Sequence, residues 1–262
     1  MDEIHVVDAF TDVAFKGNPA AVVLMPEERP PSWMQSVATE MRHSETAFVV
    51  VGDRQRRMGY PLRWFTPVAE VDLCGHATLA AAHVLGGRSE FITRRSGRLG
   101  CVAEGGWVDM DFPADVLDAV PTSGELSKPF GDVTVEAAAR GRDDLLVQVP
   151  HEREVRGLKP DFAGIAALSR DLSVRGVIVT ARQSERAFVS RCFYPEVGVP
   201  EDPVTGSAHC TLATWWSPLL GATEMMAEQA SRRGGRIRLR LTDNRVHLGG
   251  QAVGVLRGEL LV

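Results

Sequence analysis

The sequence predicts an α+β fold of two pseudo-symmetric lobes, each a curved sheet or partial barrel wrapped around one central helix. Three observations lead there. Two short stretches resemble each other half a chain apart, the same order of elements follows each of them, and two Ala-rich segments are apolar on nearly every side. RWFTPVAEVDLCGHA (Arg63 to Ala77) matches RCFYPEVGVPEDPVTGSA (Arg191 to Ala208), and Gly75 and Gly206 are separated by 131 residues in a chain of 262. An internal repeat of that period changes the reading of the whole chain, because each copy supplies its own core.

In each half the pattern is strand, strand, helix, strand, a Gly-opened helix, and then strands bounded by Gly turns. Ile4 to Phe10, Ala20 to Leu24 and Ser44 to Val51 carry the β-branched and aromatic residues that favour strands. Trp33, Met34, Val37, Ala38 and Met41 recur at the helical period, so a helix ending near Arg42 is expected. Pro31-Ser32-Trp33 and Pro160-Asp161-Phe162 correspond, each offering an N-cap residue ahead of apolar positions. The later helices, His76 to Leu85 and Ser207 to about Trp216, have no polar face and belong in an interior. The boundary is expected between Pro113 and Gly131, in a linker-like mixture of Pro, Gly, Ser and acids. That divides the chain into an N-terminal lobe, 1–115, and a C-terminal lobe, 116–262.

Composition excludes several classes of function. Lys plus Arg number 29 against 34 Asp plus Glu, a formal charge of -5, so no positive field exists to hold nucleic acid. The four cysteines, Cys74, Cys101, Cys192 and Cys210, form no CxxC pair and no disulfide framework, which points to a reducing cytoplasm. The acidic start MDEIHVVDAF lacks the basic region of a signal peptide, and no apolar run approaches the ~18 residues of a membrane span. P-loop, HExxH, GxSxG and strand-linked GxGxxG signatures are absent, which removes support for nucleotide, zincin and α/β-hydrolase chemistry.

What remains is acid–base chemistry at the helix openings. Gly75-His76 and Gly206-Ser207 each start a helix whose first N–H groups lack intrahelical partners and suit a carboxylate. Glu45 interrupts an otherwise apolar strand, where burial would raise its pKa toward a useful range for a general acid or base; a place on a solvated strand face is the alternative. Asp202, before Pro203, either starts a turn or joins the site, and His76 and Ser207 either cap their helices or do chemistry. His83 and His209 are expected to pack. Cys74, His76, His83, His209 and Cys210 lack metal-ligand spacing, so no metal is expected. Trp64 and Tyr194 either shape a pocket or fill the core.

Five motifs taken together resemble the PhzF-like family of phenazine-biosynthesis isomerases: FKGNPAAVV from Phe15, SETAFV from Ser44, CGHATLAAAHVL from Cys74, EDPVTGSAHC from Glu201 and RGGRIRL from Arg233. The resemblance implies the diaminopimelate-epimerase-like fold with its active site between the lobes, a homodimer, and proton transfer between carbons without a cofactor. It implies Glu45 as proton shuttle, completed by His76, Asp202 and Ser207, with Asn18 near the substrate; the carboxylate role of Gly75 and Gly206 rests on the helix openings themselves. Related epimerases and racemases use two cysteines; here Cys74 is present, but Pro203 stands where the second would fall. A Cys74-dependent racemase and an inactive small-molecule-binding protein of the same fold are the alternative readings.

Overall fold

The computed structural model describes residues 2–52, 55, 58–131 and 133–262. It divides into two units, residues 1–111 with 249–262, and residues 112–248. Each mixes helices with a sheet in which neighbouring strands run both parallel and antiparallel.

In the first unit, Asn18–Met25 pairs antiparallel with Asp2–Ala9 and parallel with Thr46–Val50, the helix Pro31–Met41 making the crossover. Thr46–Val50 pairs antiparallel with Tyr60–Phe65, which runs parallel to Gly87–Ile92 across the first central helix, Gly75–Leu85. Arg98–Glu104 follows antiparallel. The central helix buries His76 through Ala82 without a break and touches the strands Asp2–Ala9, Asn18–Met25, Thr46–Val50, Gly87–Ile92 and Arg98–Glu104. A helix with no polar face requires such an enclosure. A second core lies beneath Pro31–Met41, where Phe48 and Phe65 meet edge to face at 5.5 Å beside the fully buried Met34.

The second unit is built in the same pairing order. Asp144–Gln148 pairs antiparallel with Ala137–Arg140 and parallel with Gly176–Arg182. Gly176–Arg182 pairs antiparallel with Ala187–Tyr194, which runs parallel to Glu224–Gln229 across the second central helix, Gly206–Leu220. Gly235–Thr242 follows antiparallel. In this helix Trp216 is buried, stacked on Phe188 at 5.8 Å, and its indole N–H donates to Thr180 Oγ1 at 3.0 Å.

The matching Arg-x-Phe pairs have the same structural role in both units. Arg63 donates twice to Glu70, at 2.7 and 2.8 Å, and lies over the Phe65 ring at 5.2 Å. Arg191 donates twice to Glu201, at 2.7 and 3.0 Å, and lies over Phe193 at 5.1 Å. The forked guanidinium satisfies a carboxylate through two bonds while its face covers an aromatic ring, which keeps a largely buried cation paired.

Several sequence expectations are revised. The last strand, Arg245–Leu260, runs from the second unit into the first, where it pairs antiparallel with Asp2–Ala9; the lobe division at 115/116 had placed all of it in the C-terminal lobe. Edge strands bond to whatever backbone is near, and sequence order does not reveal that neighbour. The Pro113–Gly131 stretch is more than a linker: it holds the strand Asp118–Val120, a helical turn at Gly124–Ser127 and the buried Phe130. Ser32 does not cap its helix. The cap position is Pro30 and Pro31 is the first helical residue, and proline has no N–H that needs a partner. Asp161 does cap the helix Phe162–Asp171, accepting from the Ala163 N–H at 3.1 Å. The helix opened by Gly206 continues past Trp216 through Pro218 and ends at Gly221, whose φ of 61° suits glycine.

Gly250 marks how closely the returning strand approaches the first central helix. A Cβ there would lie 2.5 Å from Phe10 Cδ1 and 2.6 Å from Leu79 Cδ1. Gly250→Ala is therefore expected to destabilise the protein by about 1–3 kcal/mol through overpacking, read as a lower urea midpoint with an unchanged slope.

Candidate active site

The first unit gathers Asn18, Glu45, Cys74 and His76 from three stretches of the chain. Asn18 opens the strand Asn18–Met25 and is completely buried. Glu45 precedes the fully buried strand Thr46–Val50, so it sits at the strand's lip with its side chain 21% exposed, where the sequence had placed it within the strand. Cys74 is the N-cap residue of the first central helix, in extended conformation, and Gly75 and His76 begin the first turn.

His76 is the hub. Its Nδ1 lies 3.3 Å from Asn18 Nδ2 and 3.5 Å from Cys74 Sγ, and its Nε2 lies 3.3 Å from Glu45 Oε2. The last contact is at ion-pair distance but is not aligned as a hydrogen bond. The Asn18 amide nitrogen thus faces Nδ1, and the Glu45 carboxylate faces Nε2. Burial pushes the His76 pKa down to about 3, and the nearby His43 charge adds to the shift. The imidazole is neutral at physiological pH, so it lies beside the Glu45 carboxylate without a formal charge.

Glu45, Cys74 and His76 also present donor atoms within 4.8 Å of one another, a set that could hold a metal ion. A single ion would use one ring nitrogen, Nδ1 on the Cys74 side or Nε2 on the Glu45 side.

The second unit gathers a different set. Asp202 ends the strand Val199–Asp202, and its Oδ2 accepts from Thr205 Oγ1 at 2.5 Å, so it organises the turn before the second central helix. Gln229, fully buried, holds the same turn: its Nε2 donates to the Asp202 carbonyl at 2.7 Å and its Oε1 accepts from the Thr205 N–H at 2.9 Å. Ser207 is the second residue of the helix opened by Gly206, and its Oγ accepts from Arg175 Nη2 at 3.1 Å. Neither central helix has a side-chain cap or an acidic residue in its first turn. Both therefore begin with backbone N–H groups that no cap satisfies.

Asn18, Glu45, Gly75 and His76 thus lie together in one unit, and Asp202, Gly206 and Ser207 in the other. Gln229, Arg175 and Asp144 were missed from sequence, because no motif marks them and their partners are distant along the chain. His209 packs as expected, stacked on Phe188 with Nδ1 2.7 Å from the Thr205 carbonyl. His83 is half-buried. Trp64 and Tyr194 are buried core residues.

Each unit thus wraps strands around one buried helix, and the first places a carboxylate and a neutral imidazole at its helix opening. A family model described as "phenazine biosynthesis-like protein" matches residues 7–258, and the chain belongs to that family. A relative from Halalkalibacterium halodurans, named an uncharacterized isomerase, is 45% identical over 271 residues, covering 99% of this chain and 98% of its own. The crystal structure of a PhzF-family phenazine biosynthesis protein from Enterococcus faecalis superposes with a TM-score of 0.92 at 38% identity, covering 100% of this chain and 99% of that one. A hydroxyproline epimerase from Agrobacterium vitis shares the fold, with a TM-score of 0.61 at 11% identity over 98% of this chain and 91% of its own. The chain is accordingly an enzyme of the isomerase class.

The buried histidine makes stability depend on pH. His76 titrates near 6.5 when unfolded and near 3 when folded, so between those values the unfolded chain binds the additional proton. Stability must then fall as pH drops through that window. Urea midpoints measured from pH 7 to pH 4 are expected to decline, and His76→Asn is expected to make the decline shallower.

Proposed function

We propose that this enzyme moves a proton between carbons of a small carboxylate substrate without a cofactor, with Glu45 as the general acid/base. The observation that carries this reading is the Glu45 carboxylate 3.3 Å from the buried, neutral His76. A carboxylate 21% exposed can reach a substrate carbon, take a proton and return it at another position. His76 steadies the carboxylate without neutralising it, and Asn18 lies against His76 Nδ1. The uncapped N–H groups at Gly75, in the same unit as Glu45, are assigned to the substrate carboxylate. The identical pairing order of the two units and the matched Arg63–Glu70 and Arg191–Glu201 pairs support an origin by internal duplication. Among the described residues no helix is long and apolar enough to cross a membrane. Function as a cytoplasmic homodimer belongs to the same proposal.

One contact favours a second reading, in which Cys74 is an acid or base: its thiol lies 3.5 Å from His76 Nδ1. A two-thiol racemase would need a partner cysteine, and Pro203 occupies the corresponding position before the second central helix.

Incubation with candidate carboxylates in heavy water is expected to incorporate deuterium at carbon, and Glu45→Gln to lower that rate by about 10²–10⁴-fold. Undiminished exchange in this variant removes Glu45 from the role. Cys74→Ala is expected to retain exchange; its loss there, with substrate protecting the native thiol from iodoacetamide, selects the second reading.

A further inference from the structure

Three donors of different chemistry meet at the opening of the first central helix. Cys74 offers a sulfur, His76 a ring nitrogen and Glu45 a carboxylate oxygen, all within 4.8 Å of one another. Among the described residues no other three His, Cys, Asp or Glu side chains bring donor atoms so close together. Cys74 is 7% exposed and His76 5%, whereas the Glu45 side chain is 21% exposed, so two donors are buried and the third reaches solvent.

The spacing suits one kind of ion. Zinc binds thiolate sulfur at about 2.3 Å and imidazole nitrogen at about 2.0–2.1 Å, so a tetrahedral angle sets sulfur and nitrogen roughly 3.6 Å apart. Cys74 Sγ and His76 Nδ1 already lie 3.5 Å apart. A carboxylate ligand must come about as close to both, so Glu45 has to draw in by on the order of 1 Å. Its place allows that: it stands ahead of Thr46, the first paired residue of its strand, and His76 Nε2 holds it through no aligned hydrogen bond. Asn18 Nδ2 faces Nδ1 at 3.3 Å. Half a turn of that amide replaces its nitrogen with Oδ1 at almost no change of shape, and turns toward the ion an acceptor instead of a donor. Magnesium and calcium take six or more oxygen ligands and gain little from a sulfur and a nitrogen.

We propose that Glu45, Cys74 and His76, through Nδ1 of the imidazole, form a binding site for a zinc ion, and that zinc bound there silences the enzyme by occupying the carboxylate that moves the substrate proton. The silencing rests on the role given to Glu45 above, and the binding does not. Coordination exchanges the Cys74 thiol proton for the metal, and that proton passes to solvent. Three protein ligands leave the fourth position of the ion to water.

Cobalt(II) is the probe, because it accepts the ligands of zinc and reports a thiolate through a near-ultraviolet charge-transfer band. Titration of the protein is expected to develop that band to saturation at one equivalent of cobalt, with visible bands of four-coordinate intensity, and zinc is expected to bleach both. Cys74→Ala should remove the charge-transfer band. Glu45→Gln should keep it and weaken cobalt affinity by at least about tenfold, with a melting transition confirming that each variant is folded. Saturating zinc should suppress deuterium exchange by the native enzyme, EDTA should restore it, and magnesium at the same concentration should leave it unchanged. Lack of the band in the native protein, its survival in folded Cys74→Ala, or full exchange at saturating zinc overturns the proposal. Failure of the Glu45 reading appears separately, as undiminished exchange by Glu45→Gln with no metal added.

Discussion

The structure depends on enclosing two helices that have no polar face. Once His76 through Ala82 and Ala208 through Ala213 must all leave water, one packing partner is insufficient and strands must surround each helix. The parallel and antiparallel pairings in each unit meet that requirement, and the returning C-terminal strand completes the first, where Gly250 lets its backbone approach Phe10 and Leu79. The same constraint delivers the chemistry. A helix enclosed along its length still begins somewhere, and its first turn carries Gly75 and His76 in one unit and Gly206 and Ser207 in the other, held against rigid strand ends.

Enclosure forces a choice on every ionisable group near the helices, and the molecule uses both available solutions. Arginines that enter are paired: Arg63 with Glu70, Arg191 with Glu201, Arg175 with Asp144, each through two hydrogen bonds and each over an aromatic face. Such pairs hold geometry more than they add stability, since desolvation offsets much of their attraction. Histidines that enter lose their charge instead, His76 to a pKa of about 3 and His209 to about 4. The two solutions suit different tasks. A paired arginine keeps its charge, as Arg175 does beside Ser207, while a neutral imidazole stands beside the partly exposed Glu45 carboxylate without a charge of its own.

Much of this was legible in the amino-acid order because it rests on local pattern. The all-round apolar helices announced their own burial, the Gly75 and Gly206 openings marked where they begin, and Arg-x-Phe recurred because the same fork-and-ring arrangement is built twice. Local reading erred where a neighbour supplied the deciding contact. Ser32 had the chemistry of a cap, but Pro30 and Pro31 had already removed the need for one. Glu45 read as a strand residue, but Thr46 is the first to pair, opposite Ala21 and Phe65.

The sequence by itself determined the fold class, the two central helices with their openings, and the residue types available for acid–base chemistry, because periodicity, glycine placement and side-chain pKa are properties of short segments. Only the tertiary structure decided that Asn18 would lie against His76 Nδ1, that Gln229 would hold the turn behind Asp202, and that Arg175 would donate to Ser207. Those are contacts between residues 58, 27 and 32 positions apart or thereabouts. A hydrogen bond between distant residues exists only after the chain has folded to bring donor and acceptor within about 3 Å, and no local pattern records which pair will meet.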